Sequence, residues 1–166
     1  MKELIPELTS NTSASGITVS ASSCYNMSTF DAYGAFNDKI YMHGTAGMNE
    51  AGTRWNSQFA ASVVNEYLAV TFSEAKIVTM IRLCPFYYTY DNALQLKDFK
   101  IQGSNNGSDW TDLFSGSFLN QPVDTYITIN SVNKYTRYRL LATSNSYYYA
   151  NNVSTISISR LQFYGY

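Results

Sequence analysis

The alternation of apolar and polar residues predicts β-strands along most of this chain. Apolar residues seldom recur at the three- and four-residue spacing of a helix, whereas short alternating runs bounded by Gly, Asn, Asp and Pro recur. The clearest runs are residues 17–22, 67–72, 77–83, 98–102, 125–129, 138–142 and 156–164. Short strands separated by turns are typical of an all-β sandwich or barrel.

One hairpin can be predicted in detail. In the segment 98–104, apolar Phe99 and Ile101 alternate with polar residues, so one face of the strand is apolar. The next residues, 105–108, read Asn-Asn-Gly-Ser and tolerate the positive φ angles of a tight turn. Trp110 then resumes an apolar side. This pattern predicts two antiparallel strands joined by a short turn.

Three long stretches without a strand or helix pattern interrupt the strands, at about residues 27–58, 85–96 and 144–154. Loops of this length in a compact domain are usually functional or disordered. The second and third contain clusters of tyrosine among Asn, Asp and Ser. A tyrosine ring can stack on the apolar face of a sugar while short polar side chains bind its hydroxyls. Alternatively, these tyrosines cap the ends of a sandwich or pack against a neighbouring subunit.

Composition and charge exclude several classes of partner. Charged residues make up 14% of the 166 residues and the net charge is −1, so the chain does not attract polyanions. Nucleic acid is not an expected partner, because the tyrosine-rich loops lack Lys and Arg. Membrane insertion is not expected either, since no run approaches the roughly 20 apolar residues of a span. Cys24 and Cys84 are expected to be free, buried thiols.

The sequence does not predict an enzyme. His43 is the one histidine, which removes most histidine-based acid–base and metal chemistry, and we expect it to be a loop residue. Glycoside hydrolysis would need two carboxylates across a cleft. No spacing singles out a pair among Asp31, Asp38, Glu50, Asp91 and Asp124.

Residues 96–113, LKDFKIQGSNNGSDWTDL, resemble the central hairpin of the discoidin, or coagulation-factor type C, superfamily, which includes the family 32 carbohydrate-binding modules. Further similar segments are 35–38 (AFND), 54–57 (RWNS), 67–72 (YLAVTF), 135–140 (YTRYRL) and 156–165 (ISISRLQFYG). The resemblance implies a galactose-binding-domain-like jelly roll of about eight antiparallel strands, with its ligand site in loops at one end. The domain is expected at 17–166, after a lead-in segment at 1–16.

Loop composition and this resemblance together predict the ligand-binding residues. Phe86 stands where the family has a sugar-binding Arg, so a preference for galactose does not follow. Trp55 is expected to close the core, with ligand contact as the alternative. The ligand candidates are His43, Arg54, Tyr87, Tyr88, Tyr90, Asp91, Asn92, Tyr147, Tyr148 and Asn151.

The resemblance also implies a calcium position that this sequence alters. Many members hold calcium with the loop at 35–38 and a Glu of the closing strand, but here Arg160 stands at the Glu position. A guanidinium cannot ligate calcium. Asp38 is the one metal-ligand candidate. No cofactor is expected, and the alternative is a structural calcium at this position. Either Arg160 replaces the ion and pairs with Asp38, or Arg160 points to solvent on an edge strand.

The first residues indicate where the domain is displayed. Segment 4–16, LIPELTSNTSASG, resembles the opening of discoidin-like modules in bacteriophage tail and other virion proteins. No secretory signal is recognisable at the amino terminus. We therefore expect a host-recognition lectin on a virion or extracellular surface, whose partners are a host glycan and further copies of itself or other virion subunits. The alternative is a structural adhesion or decoration domain whose loops bind another protein subunit.

Overall fold

The computed structural model describes residues 1–13, 15–37, 51–88, 93–94, 96–118, 124–144 and 154–166. One 3-10 helix spans Ala32–Phe36. The strands are β1 (Lys2–Glu3), β2 (Thr18–Ala21), β3 (Trp55–Asn56), β4 (Tyr67–Lys76), β5 (Val78–Pro85), β6 (Tyr87–Tyr88), β7 (Ala93–Leu94), β8 (Asp98–Ser104), β9 (Thr111–Ser117), β10 (Thr125–Thr128), β11 (Tyr135–Ala142) and β12 (Ser157–Gly165).

Over these residues the strands form two antiparallel sheets and one short ribbon. The first sheet has the order β1-β12-β5-β10, with β3 also paired to β12, and the second has the order β2-β4-β11-β8-β9. The ribbon pairs β6 with β7. Eight of the strands have four residues or more. The expected all-β sandwich of about eight antiparallel strands is therefore confirmed.

The predicted hairpin is present as β8 and β9. Its turn contains Gly107 at a φ of 80°, which glycine adopts without steric cost. The Asn106 side chain organises the turn, because its Oδ1 accepts the backbone N–H groups of Ser108 at 2.9 Å and Asp109 at 2.8 Å. The local sequence thus encodes both the strands and their connection.

The segment 27–58 contains more structure than its pattern predicts. The 3-10 helix lies within it and is capped by Asp31, whose Oδ1 accepts the backbone N–H of Ala32 at 2.7 Å. Its Phe36 is 1% exposed and belongs to the core. Strand β3 also lies in this segment, so pairing with β12 supplies order that a local pattern does not reveal.

The hydrophobic core lies between the two sheets. Leu83, Leu140, Leu161 and Phe163 are completely buried there. Trp55 is also completely buried, and its Nε1 donates to the Ser23 carbonyl at 2.9 Å. The expected core role of Trp55 is therefore confirmed.

The beginning of the chain is part of the sandwich. β1 pairs with β12, and the backbone N–H of Leu4 continues this ladder by donating to the Phe163 carbonyl at 2.8 Å. Ile5 and Leu8 are buried in the same core. The first half of the lead-in segment 1–16 is thus held by the first sheet.

Both cysteines are free, as the sequence analysis expects. Cys84 is buried, and this burial raises the pKa of its thiol to about 11. Cys24 is partly buried, and its Sγ donates to the Phe30 carbonyl at 3.1 Å. Within the described segments, no helix has the length and apolar character needed to cross a bilayer.

Tyr138 joins the two sheets near the β4–β5 turn. Its ring packs edge-on against Phe72 and lies beside Phe163. Its hydroxyl donates to the Lys76 carbonyl at 2.7 Å and accepts the Val78 N–H at 3.3 Å. One buried phenol therefore holds the chain where it passes from the second sheet to the first.

We predict that Tyr138→Phe lowers the free energy of unfolding by about 1–2 kcal/mol, because it leaves buried backbone groups of Lys76 and Val78 without this partner. Urea denaturation at pH 7 measures the change. Tyr166→Phe is the matched control, since the Tyr166 side chain is 66% exposed, and its effect should stay within a few tenths of a kcal/mol.

The stability difference between the native chain and Tyr138→Phe should also depend on pH. Burial raises the pKa of Tyr138 to about 12, above the usual value of 10. Between these values the unfolded chain loses the proton while the folded chain keeps it, so stability falls as pH rises. The stability difference between the native chain and Tyr138→Phe should shrink above pH 10. A difference that stays constant would contradict the assignment.

Candidate functional site

The strands that flank the long segments 85–96 and 144–154 end or begin at one end of the sandwich. In the second sheet, β11 ends opposite the start of β4, and β8 begins opposite the end of β9. In the first sheet, β5 ends opposite the start of β12. We call this end the loop end. The strands flanking segments 85–96 and 144–154 therefore meet at the loop end.

Five side chains at the loop end form a row, which we call the aromatic stack. The guanidinium carbon of Arg54 lies 4.1 Å from the ring centroid of Phe86 and 4.2 Å from that of Phe30. The Tyr25 ring stacks beyond Phe30 at 6.4 Å between centroids. Phe59 then meets Tyr25 edge-on at 5.1 Å. The row thus joins four rings and one cation.

The aromatic stack runs from the interior to the surface. Phe86, Arg54 and Phe30 are 2%, 7% and 8% exposed, whereas Tyr25 and Phe59 are 53% and 40% exposed. A guanidinium over an aromatic face is attracted by the ring quadrupole, more strongly when water is excluded. Arg54 Nε also donates to Asn56 Oδ1 at 3.1 Å. The buried end of the stack is therefore firmly held.

The backbone around Tyr25 explains why these distant residues meet. The Tyr25 N–H donates to the Asn56 carbonyl at 3.0 Å, and the Asn56 N–H donates to the Phe30 carbonyl at 3.2 Å. Between them, the Asn26 carbonyl accepts the Phe30 N–H at 2.7 Å, and Asn26 Oδ1 accepts the Ser28 N–H at 3.0 Å. This turn holds the backbone of Tyr25 and Phe30 against β3.

The exposed end of the stack offers a surface for an apolar ring. Tyr25 and Phe59 are perpendicular, with an angle of 90° between their planes, and together form a corner of aromatic surface. Met27, which is 75% exposed, is close to Tyr25 in the chain. Such a corner can receive the C–H face of a sugar, provided that polar groups nearby bind its hydroxyls.

Arg54 is the one predicted ligand residue whose side chain the structure describes. It is buried between Phe30 and Phe86, so most of its surface is used inside the aromatic stack. Phe86, which the family resemblance aligns with a sugar-binding Arg, is its buried stacking partner.

The other predicted site residues lie wholly or partly outside the described residues. For Tyr87 and Tyr88 the structure shows the backbone pairing of β6 with β7. Their role in binding a ligand stays a prediction. The same holds for the residues outside the described ranges, which are His43, Tyr90, Asp91, Asn92, Tyr147, Tyr148, Asn151 and the metal candidate Asp38.

Sequence reasoning missed Tyr25, Phe30 and Phe59. Phe30 lies inside the segment 27–58 that its length marks as functional, and the other two lie just beyond its ends. Unlike the tyrosine clusters, these three aromatic residues are isolated in the sequence. The sequence shows only that each of these aromatic residues lies in or beside a long loop. That position does not predict that their rings contact one another.

The calcium position carries a buried cation of the chain itself. Arg160 is 4% exposed, and its Nη1 donates to Asp124 Oδ2 at 3.1 Å. The expectation that Arg160 points to solvent on an edge strand is wrong, because β12 lies inside its sheet. The expected partner Asp38 lies outside the described residues, so its pairing with Arg160 stays a prediction. Among the described residues, Arg160 contacts the carboxylate of Asp124.

The described side chain at the Arg160 position does not fit calcium. A guanidinium carries donors alone, so Arg160 supplies no oxygen where a carboxylate is needed. Across the described ranges, no three His, Cys, Asp or Glu residues are grouped to hold a metal ion. Asp124 is instead shared with Arg82, whose Nη2 lies 2.6 Å from Oδ2 and whose Nε lies 3.1 Å from Oδ1.

We predict that Asp124→Asn lowers the free energy of unfolding by about 2–4 kcal/mol, because it removes the negative charge shared by two guanidinium groups, one of them buried. Asp112→Asn is the matched control. Asp112 binds Lys100 at 2.6 Å, but both side chains are more than a third exposed, so the cost should be below about 1 kcal/mol. Equal losses in urea denaturation would show that burial does not strengthen the Asp124 pairs.

Solved structures of carbohydrate-binding modules are similar to this chain. The family 32 module of Clostridium perfringens NanJ, solved in complex with galactose, matches with a TM-score of 0.60 and 20% identity, over 89% of this chain and 92% of that chain. Chitosan-binding module 1 from a Paenibacillus sp. IK-5 chitosanase/glucanase matches with a TM-score of 0.57 and 21% identity, over 89% and 94%.

A fucolectin from the striped bass, Morone saxatilis, matches with a TM-score of 0.65 and 17% identity, over 90% of this chain and 47% of that chain. At these identities the similarity shows the shared fold. No protein with a curated function matches the sequence.

The model of the F5/8 type C domain matches residues 18–155. That range runs from β2 to the residues just before β12, and so includes the hairpin that carries the resemblance. The chain therefore belongs to the F5/8 type C, or discoidin-like, domain family.

Proposed function

We propose that this chain is a non-catalytic glycan-binding module whose loop end receives the sugar. The observation that carries the proposal is the exposed pair of Tyr25 and Phe59, supported from below by the buried part of the aromatic stack. An aromatic surface held rigidly loses little entropy when a ligand binds. The fold supports the proposal, since similar structures include a module solved with galactose.

The predicted loop residues complete this site in the proposal. Tyr25 and Phe59 supply an apolar surface, while a sugar also needs donors and acceptors for its hydroxyls. Asp91, Asn92 and Asn151 have suitable side chains, and Tyr148 adds a further ring. A shallow site of this kind has a Kd of roughly micromolar to millimolar. Several copies on one particle would raise the avidity.

The virion setting is a proposal as well. It rests on the resemblance of segment 4–16 to openings of phage modules, and immunogold labelling of purified phage particles tests it. In the alternative role, the loop end would bind another protein subunit in place of a glycan. The two roles differ in whether the isolated chain binds sugar.

We predict that Tyr25→Ala and Phe59→Ala each weaken glycan binding about tenfold, because each removes one ring from the exposed aromatic corner. A glycan array identifies the ligand, and isothermal titration measures Kd for each variant. Tyr166→Ala, which removes another exposed ring away from the loop end, should leave Kd unchanged.

Two outcomes would contradict the proposal in different ways. If the native chain binds a glycan and neither variant changes Kd, the aromatic stack is not the site. If the native chain binds no glycan, and Tyr25 is buried against another subunit in an assembled particle, the chain is a structural adhesion domain. Release of sugar from an incubated polysaccharide would contradict the non-catalytic role.

A further inference from the structure

The outer face of the first sheet carries an ordered array of polar and aromatic side chains. Strand register sets the array, because residues paired across antiparallel strands point to the same face. β10 pairs with β5 and β5 pairs with β12, so their outward side chains form rows across the sheet. One row contains Tyr126, Arg82 and Gln162, and the next contains Thr128, Met80 and Tyr164, followed by Glu3 on β1. We call this array the outer face.

Two tyrosine rings provide an exposed platform on the outer face. Tyr126 lies on β10 at the side of the sheet and is 55% exposed. Its ring centroid is 6.2 Å from that of the partly exposed Tyr164, with an angle of 48° between the planes. The Arg82 guanidinium carbon lies 5.3 Å from the Tyr126 ring centroid. Aromatic and cationic surface is thus continuous across three strands.

The polar groups around this platform are oriented by hydrogen bonds. Asp124 fixes the Arg82 guanidinium through Nε and Nη2. On the other side, the Tyr164 hydroxyl donates to Gln162 Oε1 at 3.1 Å, and Gln162 Nε2 donates to Glu3 Oε1 at 3.0 Å. Donors and acceptors are therefore held beside the rings before any ligand arrives, which reduces the entropy lost on binding.

The balance of charge and polarity favours one kind of ligand. Arg82 and Arg160 are offset by Asp124 and Glu3, so the outer face does not select a charged polymer. The core of a protein–protein interface is depleted of charged residues, whereas this face has charged side chains in its centre. An exposed ring beside oriented hydroxyl-binding groups suits a neutral pyranose.

We propose that the outer face is a second carbohydrate-binding surface, for a neutral saccharide, separate from the loop end. A sugar stacks its C–H face on Tyr126 and hydrogen-bonds to Arg82 beside it, and a further sugar of the same glycan chain reaches the exposed carboxylate of Glu3. Gln162 is buried, and its role is to orient Glu3. Tyr126, Tyr164 and Glu3 are accessible on this face although Arg160 and Gln162 are buried, so a glycan chain can lie across the strands. This surface depends on none of the residues in the aromatic stack.

Methionine methyl groups allow the two surfaces to be observed separately by NMR. Met80 lies on the outer face, opposite Tyr164 in the strand register. Met27 is exposed and follows Tyr25 by two residues in the chain. The experiment titrates the full chain, labelled with 13C at the methionine methyls, with neutral gluco-, galacto- and manno-oligosaccharides. We expect the Met80 signal to shift in a saturable way with at least one of them.

Variants of Tyr126 distinguish the loss of the aromatic ring from damage to the sheet. Tyr126→Ala should weaken the binding seen at Met80 about tenfold, because it removes the ring. Tyr126→Phe keeps the ring and should keep the binding. Tyr25→Ala should leave the Met80 titration unchanged. Thermal unfolding of Tyr126→Ala close to that of the native chain shows that the sheet is intact.

The outcomes distinguish this proposal from the function proposed for the loop end. If Met27 shifts and Met80 does not, the outer-face surface is wrong and the loop-end site stands. If Met80 alone shifts, the outer-face surface stands and the loop-end site is wrong. A Met80 shift that follows protein concentration without saccharide would show a contact between copies of the chain and would overturn the proposal.

Discussion

Burial of the closing strand on both of its faces is the constraint on which this molecule depends. β12 lies between β5 on one side and β1 and β3 on the other, and eight of its nine residues are buried. Leu161 and Phe163 enter the hydrophobic core. Their neighbours Arg160 and Gln162 point to the opposite face and are also buried, at 4% exposure each. A buried polar side chain is stable when hydrogen bonds replace those it had with water.

The need of Arg160 and Gln162 for hydrogen-bond partners determines which side chains are ordered on the outer surface of the first sheet. Asp124 meets the charge of Arg160 and at the same time orients Arg82, while Gln162 is held between Tyr164 and Glu3. The family resemblance predicts a Glu at the position of Arg160, and a guanidinium supplies no oxygen for calcium there. Arg160 also determines which side chains are ordered beside it, through its pairing with Asp124.

The loop end follows a different principle, since its side chains are held by stacking. Arg54 between Phe30 and Phe86 joins the turn at residues 24–30, β3 and the end of β5 into one unit. The buried part of this unit supports the exposed rings of Tyr25 and Phe59. A rigid scaffold that presents a few side chains on its connections is the arrangement that most binding domains share.

The sequence by itself determined most of the longer strands and the β8–β9 hairpin, because both depend on local physics. A strand between core and solvent must alternate every second residue, and the turn needs residues such as Asn106 and Gly107 in adjacent positions. The family resemblance rested on the same segments. It could not show which residues meet at a site.

Those contacts were decided by the tertiary structure alone. Tyr25 reaches Phe59, and Arg54 reaches Phe86, because strand pairing brings separated segments together. Strand register also places Arg160 near Asp124, beside β10, a contact that the sequence did not indicate. Charges and rings attract each other when they are close in space. Separation along the chain does not show which groups are close, because strand pairing brings distant segments together.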